Sequence, residues 1–342
     1  MAVTIRQIAA VAGVSRGTVD RVLHNRPGVK PEIAEHVRRI ANELGFEPNR
    51  AGKILAARKQ PIRIGCFLPS KGNAFFADVI HGFREAEAHY DDFGVSLALR
   101  EVEGYNAATH IRAMQELMAE GVSALCVSTI DTPVIREYID GVVDSGIPVI
   151  AVNTDLSKTK RLCYVGCDYL EGGRTAAGLL ALMARERLEL LIVTGSLKMK
   201  GHNERIQGFS QTLHKKQVPY HLVDVFESLD NDQHAYENAL KTLREHPEIN
   251  CVYIAAAGVA GVCRAIVELG RQDDLYVLSY DDTQATRELV KSGIIDFTLC
   301  QEPQLQGYHA IRILFDYFMA DKQVKPQDLI TGTVIKIREN ID

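Results

Sequence analysis

The sequence predicts an α/β protein: an N-terminal three-helix head carrying a helix-turn-helix, then two doubly wound α/β lobes. Three observations predict this. Charge is divided unevenly, with eleven Lys and Arg against five Asp and Glu in residues 1–60, and 28 against 39 in the remainder. Up to Gly45 the apolar residues recur at helical spacing and are interrupted by Gly and Pro. From Ile62 onward, ten short β-branched-rich runs alternate with amphipathic segments, the pattern of βαβ units. A chain of 342 residues fits two or three domains. The divisions expected are a head over residues 1–46, a linker over 47–60 and a two-lobed body over 61–342.

Thr4 and Gln7 have the capping-box spacing and open a first helix with Ile5, Ile8, Ala9 and Ala12 on one face. Gly13 ends it. Ser15 is a good N-cap for a second helix that buries Val19, Val22 and Leu23. The segment "HNRPGVKP" reads as a loop, and Pro31 opens a third helix with Ile33, Val37, Ile40 and Leu44 inward and Gly45 as its stop. Lys30, just before Pro31, is a poor cap.

In the body the strand-like runs are "IRIGCFLP", "VSLALREV", "VSALCVST", "IPVIAVN", "LCYVGCD", "LELLIVTG", "YHLVDVF", "CVYIAAA", "LYVLSYD" and "IDFTLCQ". Runs this apolar suit parallel strands covered on both faces. The seven cysteines are odd in number, and most lie inside these runs. They are expected to be small buried core residues, with no metal site and no cofactor. No apolar run approaches the roughly 18–20 residues that span a bilayer. "MAVTIRQIAA" lacks a basic stretch followed by an apolar one, so a cytoplasmic chain is expected.

A basic head on an acidic body suggests a polyanion partner for the head alone, against the plainer reading of a solvated helical surface. The second helix of a helix-turn-helix enters the DNA major groove by its N-terminal end, where its free amides also favour phosphate. Arg16 can there reach guanine O6 and N7 bidentately, and Gly17 lets the backbone approach the base edges.

In doubly wound sheets ligands bind beyond the carboxyl ends of the strands. The residues found there are Asn73, Phe75 and Phe76; Asn153, Thr154 and Asp155; His202, Asn203 and Arg205; Asp281 and Asp282; and Gln301. Aromatic rings for a sugar face, with amides, carboxylates and a guanidinium for hydroxyls, would make a carbohydrate-type site. Ser196, His202 and Asp281 could be gathered into a triad, but the chain has no nucleophile elbow, P-loop or metal motif, and no enzyme is expected.

Residues 3–56, "VTIRQIAAVAGVSRGTVDRVLHNRPGVKPEIAEHVRRIANELGFEPNRAGKILA", resemble the DNA-binding head of the LacI/GalR (lactose-repressor) family of bacterial transcription regulators, including "TVxRVL" and "GFxPNRxxxxLA". The resemblance implies a dimeric repressor on double-stranded operator DNA. It implies contacts from Thr4, Ser15, Arg16, Gly17, Thr18, Arg21 and Asn25. Arg50 and Lys53 would add more, and Leu55 would wedge into the minor groove from a hinge helix. Two residues depart from the pattern. Gly52 lies within the hinge. Asp20 stands where Ser is usual, and would repel phosphate, accept from a cytosine, or steer Arg16 or Arg21.

The body resembles the periplasmic-binding-protein type I fold that serves this family as effector domain, through "NAFFADVIHGF", "GIPVIAVN", "VGCDYLEGGRTAA", "NERIQGF", "LSYDDT" and "FTLCQEPQLQGYHA". Effector contacts are thereby implied for Asn73, Phe75, Asn153, Asn203, Asp281 and Gln301, with Phe76 and Asp155 beside them and Arg205 as a contact or an internal brace. The implied effector is a sugar or sugar derivative. Asn153-Thr154 replaces a usual Asp-Arg, Ala257-Gly258 replaces a usual Asn-Asp, and Trp is absent, which points to a ligand less hydroxyl-rich than a hexose or to one seated differently. The alternatives are a transport-type solute-binding protein and a regulator responding to a nucleoside or purine-like ligand.

Overall fold

A computed structural model describes residues 3–23, 26–44, 61–69, 71–320 and 325–342. Its contacts divide it into two compact units, one holding the N-terminal helices and the other both sheets.

The head consists of α1 (Ile5–Ala12), α2 (Arg16–Leu23) and α3 (Pro31–Glu43). The capping box is complete. The Gln7 amide donates to Thr4 Oγ1 at 3.3 Å, and the Thr4 amide donates to Gln7 Oε1 at 2.8 Å. Gly13 ends α1 at φ 63°, where Cβ would be strained. Ser15 Oγ accepts from the Thr18 amide at 3.1 Å and caps α2. Lys30 makes no side-chain cap, as its side chain dictates. Ile8, Ala9, Ala12, Val19, Val22, Val37, Ile40 and Ala41 form the core. Ile33, expected inward, is 37% exposed; it lies in the first turn of α3, before Val37, the first buried residue of that helix. Helix α3 ends at Glu43 with Leu44 as cap; Gly45, the expected stop, lies outside the described residues.

The body contains two six-stranded sheets. In lobe 1 the order is β11-β5-β4-β3-β1-β2, with β1 Ile62–Leu68, β2 Val95–Glu101, β3 Ala124–Val127, β4 Val149–Val152, β5 Cys163–Cys167 and β11 Leu329–Thr331. In lobe 2 it is β12-β10-β9-β8-β6-β7, with β6 Leu188–Thr194, β7 Tyr220–Glu227, β8 Cys251–Ile254, β9 Tyr276–Tyr280, β10 Phe297–Cys300 and β12 Val334–Lys336. Ten strands match the ten sequence runs, and β12 is antiparallel to β10. The runs are apolar throughout because both faces are covered. On β6, Leu190 and Ile192 enter one core while Leu191 and Val193 enter the other.

Helices α4 (Phe75–Tyr90), α5 (Ala107–Ala119), α6 (Pro133–Asp144) and α12 (Pro303–Met319) flank lobe 1. Helices α7 (Tyr169–Met183), α8 (Lys200–Lys215), α9 (Asp232–Glu245), α10 (Val259–Glu268) and α11 (Gln284–Ser292) flank lobe 2. The chain crosses between lobes three times, after β5, after β10 and after β11. Glycine allows α7 and α8 to touch backbone to backbone. A Cβ at Gly173 would lie 2.0 Å from the Arg205 carbonyl oxygen, and one at Gly208 would lie 2.1 Å from that of Leu170. All seven cysteines are buried. Among the described residues, no helix is long and apolar enough to cross a membrane.

Candidate functional site

In the head, the N-terminal end of α2 is open to solvent. Ser15, Arg16, Gly17 and Arg21 are exposed, as is Thr4, and Thr18 is half-buried with its hydroxyl 2.9 Å from that of Ser15. A Cβ on Gly17 would meet only Ser15 Oγ, at 3.8 Å, so nothing inside the head requires glycine there. Asp20 pairs with Arg26 at 3.2 Å, a partner the sequence reading had not named. Asn25, Arg50, Lys53 and Leu55 lie outside the described residues.

In the body, a cleft with about 350 Å³ of empty space, solvent-open space included, lies at the carboxyl ends of the strands of both sheets. Lobe 1 contributes Asn73, Phe75, Phe76, Tyr105 and Asn153. Lobe 2 contributes Met199, His202, Arg205, Asp230 and Asp281, with Tyr169 and Gln301 at the crossings. Seven of the nine residues expected here line it: Asn73, Phe75, Phe76, Asn153, Arg205, Asp281 and Gln301.

Asn153 follows β4 and Asp281 follows β9, at matching places in the two lobes. Both have φ 65°, a left-handed turn that Asn and Asp tolerate best among residues with a side chain. Their amides donate into the neighbouring strand ends, Asn153 to Val165 and Asp281 to Leu299. Phe75 and Phe76 are buried and meet edge to face, with centroids 5.3 Å apart. Arg205, on α8, is 3% exposed; its guanidinium lies 3.5 Å from the centroid of the Tyr280 ring and 4.6 Å from that of Tyr169. Its Nη1 donates to the Ala255 carbonyl at 2.7 Å, and its Nε has no partner among the described residues.

Gln301 Nε2 donates to Asp281 Oδ1 at 2.8 Å, while Gln301 Oε1 has no partner among the described residues. Burial lifts the Asp281 carboxyl to about 6, against the opposing pull of Arg205 and Gln301. Thr283 caps α11, so Asp281 is free of that duty, and Asp282 approaches Arg287 at 3.5 Å. Burial lowers His202 to about 4; its Nδ1 accepts the Ser196 amide at 3.1 Å, so the neutral ring carries its proton on Nε2. Asp230 Oδ2 accepts from Asn73 Nδ2 at 2.9 Å and from the Tyr105 hydroxyl, and these bonds join the lobes.

Two expectations are corrected. Asp155 does not line the cleft. Its carboxylate is held by Arg161 at 2.5 Å and by Lys200 of lobe 2 at 2.8 Å, an ion pair across the lobes. Asn203 also lies outside it. Each helical residue advances about 100°, so the face of α8 that turns His202 and Arg205 inward sends Asn203 to solvent, where its amide caps the Leu197 carbonyl. Ser196 Oγ donates to Glu227 rather than to His202, so the three residues form no triad. Of the lining residues missed, Tyr105 and Asp230 follow β2 and β7, and the strand-end rule could have found both.

Residues 64–322 match the family model for the periplasmic binding protein domain, and residues 4–49 match that for bacterial regulatory proteins of the lacI family. The chain belongs to the LacI family. This LacI-family regulator is 25% identical to the HTH-type transcriptional regulator CelR of Thermobifida fusca over 98% of both chains. It is 26% identical to the ribose operon repressor of Lactococcus lactis, over 91% of this chain and 90% of that one. Its body resembles GanP, a glucose-galactose binding protein from Geobacillus stearothermophilus, with TM-score 0.76 and 25% identity, over 82% of this chain and 99% of that one. The LacI family consists of DNA-binding regulators, so the head is a helix-turn-helix DNA-binding module and the body is its effector domain.

Proposed function

We propose that this regulator is a homodimeric repressor whose operator affinity is set by a small polyhydroxylated effector, a sugar or sugar derivative, in the cleft. One observation carries the reading. Three buried polar atoms, Arg205 Nε, Gln301 Oε1 and Asp230 Oδ1, lack partners among the described residues around one cavity walled by Phe75 and Phe76. An unmet buried polar group costs about 1–3 kcal/mol, which a ligand rich in hydroxyls recovers while its apolar face rests on the rings. The relatives named as sugar binding and ribose operon proteins support the same class.

In the head, Arg16 reads a guanine and Gly17 permits close approach. Thr4, Ser15, Thr18, Arg21 and Asn25 contact the duplex, with Arg50, Lys53 and Leu55 acting from residues 47–60. Two heads on two-fold-related half-sites match a roughly palindromic operator. An effector that prefers one lobe arrangement shifts DNA affinity only by its differential affinity for the two, so tenfold discrimination moves the balance by about 1.4 kcal/mol.

The test is footprinting of the full chain on its operator, repeated with sugars, sugar phosphates and nucleosides. The expected result is a two-fold-symmetric footprint whose occupancy changes with a sugar. Occupancy that changes only with nucleosides refutes the sugar assignment. A monomer holding one half-site at full affinity refutes the dimer.

A further inference from the structure

The charges in the cleft are sorted by lobe. Lobe 1 lines it with rings, amides and a phenol, none charged, whereas lobe 2 supplies Arg205, Asp230 and Asp281. Two carboxylates thus share one guanidinium. His202, next to them, stays neutral down to about pH 4 and adds no positive charge. Lys198 and Lys200 come from the same segment but are committed elsewhere. Lys198 Nζ donates to the Tyr105 carbonyl at 3.4 Å, and Lys200 pairs with Asp155 and Glu204.

Among the described residues, no Lys, Arg or His nitrogen lies within 4.0 Å of the Asp230 carboxylate. The carboxylate is nonetheless firmly placed. Leu229 and Asp230 both adopt left-handed backbone, at φ 55° and 53°, a costly conformation for two successive residues with side chains. Asn73 and Tyr105 fix Oδ2 from the opposite lobe, and Gly195 packs so close behind Oδ1 that a Cβ there would lie 2.3 Å away. Oδ1 itself is buried without a partner among the described residues. A neutral polyol would cover an excess negative charge without pairing it, which is unfavourable.

We infer that Asp230 is an ammonium subsite and that the effector is an amino-substituted polyol. Its amine pairs with Asp230, and its hydroxyls meet Asp281, Arg205 and Gln301. The inference rests on the effector occupying this cleft. It makes Asp230 the residue that selects among sugars by charge.

The experiment is titration calorimetry of the full chain at pH 7 with matched pairs: D-glucosamine and D-glucose, D-galactosamine and D-galactose, D-mannosamine and D-mannose. N-acetyl-D-glucosamine, N-acetyl-D-galactosamine and N-acetyl-D-mannosamine serve as the uncharged versions of the three amines. In at least one pair the amine binds tenfold or more tighter than its hydroxyl partner, and acetylation removes the advantage. In Asp230→Asn, checked for folding by circular dichroism, the amine's advantage over its hydroxyl partner disappears. Asp230→Glu, which keeps the charge, retains a preference for the amine. Hydroxyl members binding as tightly as the amines overturn the ammonium subsite and leave the sugar cleft standing, as does an amine preference that survives Asp230→Asn. Binding by no sugar of either kind overturns both readings.

Discussion

Asp281→Asn separates charge from shape at one cleft residue. Asn keeps the volume, tolerates the φ of 65°, and offers an oxygen to Gln301 Nε2. No helix cap is lost, because Thr283 caps α11. What is lost is a buried negative charge. Burial raises the carboxyl from 3.8 to about 6. The folded protein therefore holds this proton more tightly than the unfolded chain, and stability falls as pH rises from about 4 to about 6. Above that window the full penalty applies. Two units correspond to about 3 kcal/mol.

Asp281→Asn should thus stabilise the body by about 2–3 kcal/mol at pH 8, with the gain fading as pH falls towards 4. Effector binding should move the other way, losing roughly 1.5–3 kcal/mol of charge-assisted bonding, at least about tenfold. Urea unfolding of both proteins at pH 8 and pH 4.5, with operator release by an active sugar, reads both signs. A variant less stable than the parent by 1 kcal/mol or more at pH 8 would refute the reasoning, since the carboxylate would then be a structural partner rather than a buried cost.

Gly17→Ala should stabilise α2 by up to about 1 kcal/mol and yet weaken operator binding; unchanged DNA affinity would contradict close approach at this position. Gly208→Ala must push α7 from α8, since its Cβ would lie 2.1 Å from the Leu170 carbonyl oxygen. A loss of about 1–3 kcal/mol in thermal or urea unfolding is expected, and an unaltered melting temperature would be inconsistent with the crossing. Lys200→Met breaks the ion pair to Asp155 between the lobes, so small-angle scattering should show a more open body; an unchanged radius of gyration counts against the pair as a clasp. His202 has a lowered folded-state pKa, so its contribution to stability is lost as pH falls from about 6.5 to about 4. His202→Gln should remove that acid-side loss in a pH-dependent unfolding series.

Much of this was legible in the sequence because the local signals are strong. Thr4, Gly13, Ser15 and Pro31 act through their own backbone and cap positions, and each appears where its chemistry put it. The strand runs were readable because burial on both faces demands unbroken apolar residues. Strands β11 and β12 escaped notice because each has three residues and takes its identity from a sheet edge far away in sequence. In the cleft, strand ends located Asn153 and Asp281. Asp155 and Asn203 failed because proximity to a strand end does not fix side-chain direction. Arg161 and Lys200 claim the first, and helical rotation turns the second to solvent. Asp230 was within reach of the same strand-end rule, but its pairing with Asn73 and Tyr105, both more than a hundred residues earlier, was not.

The triple crossing has a consequence for biosynthesis. Lobe 2 runs almost uninterrupted from Tyr169 to Cys300 and then lacks only β12 and the tail carrying Ile341. Lobe 1 starts first, at Ile62, but must wait for α12 to cover α4 and for β11 to close the sheet beside β5. As the chain leaves the ribosome, the half made second therefore has nearly all its parts while the half made first still shows an open sheet edge and an uncovered helix. Nascent lobe 1 is the segment most in need of shelter from other chains. A truncation before Pro303 should leave lobe 1 unable to complete its packing.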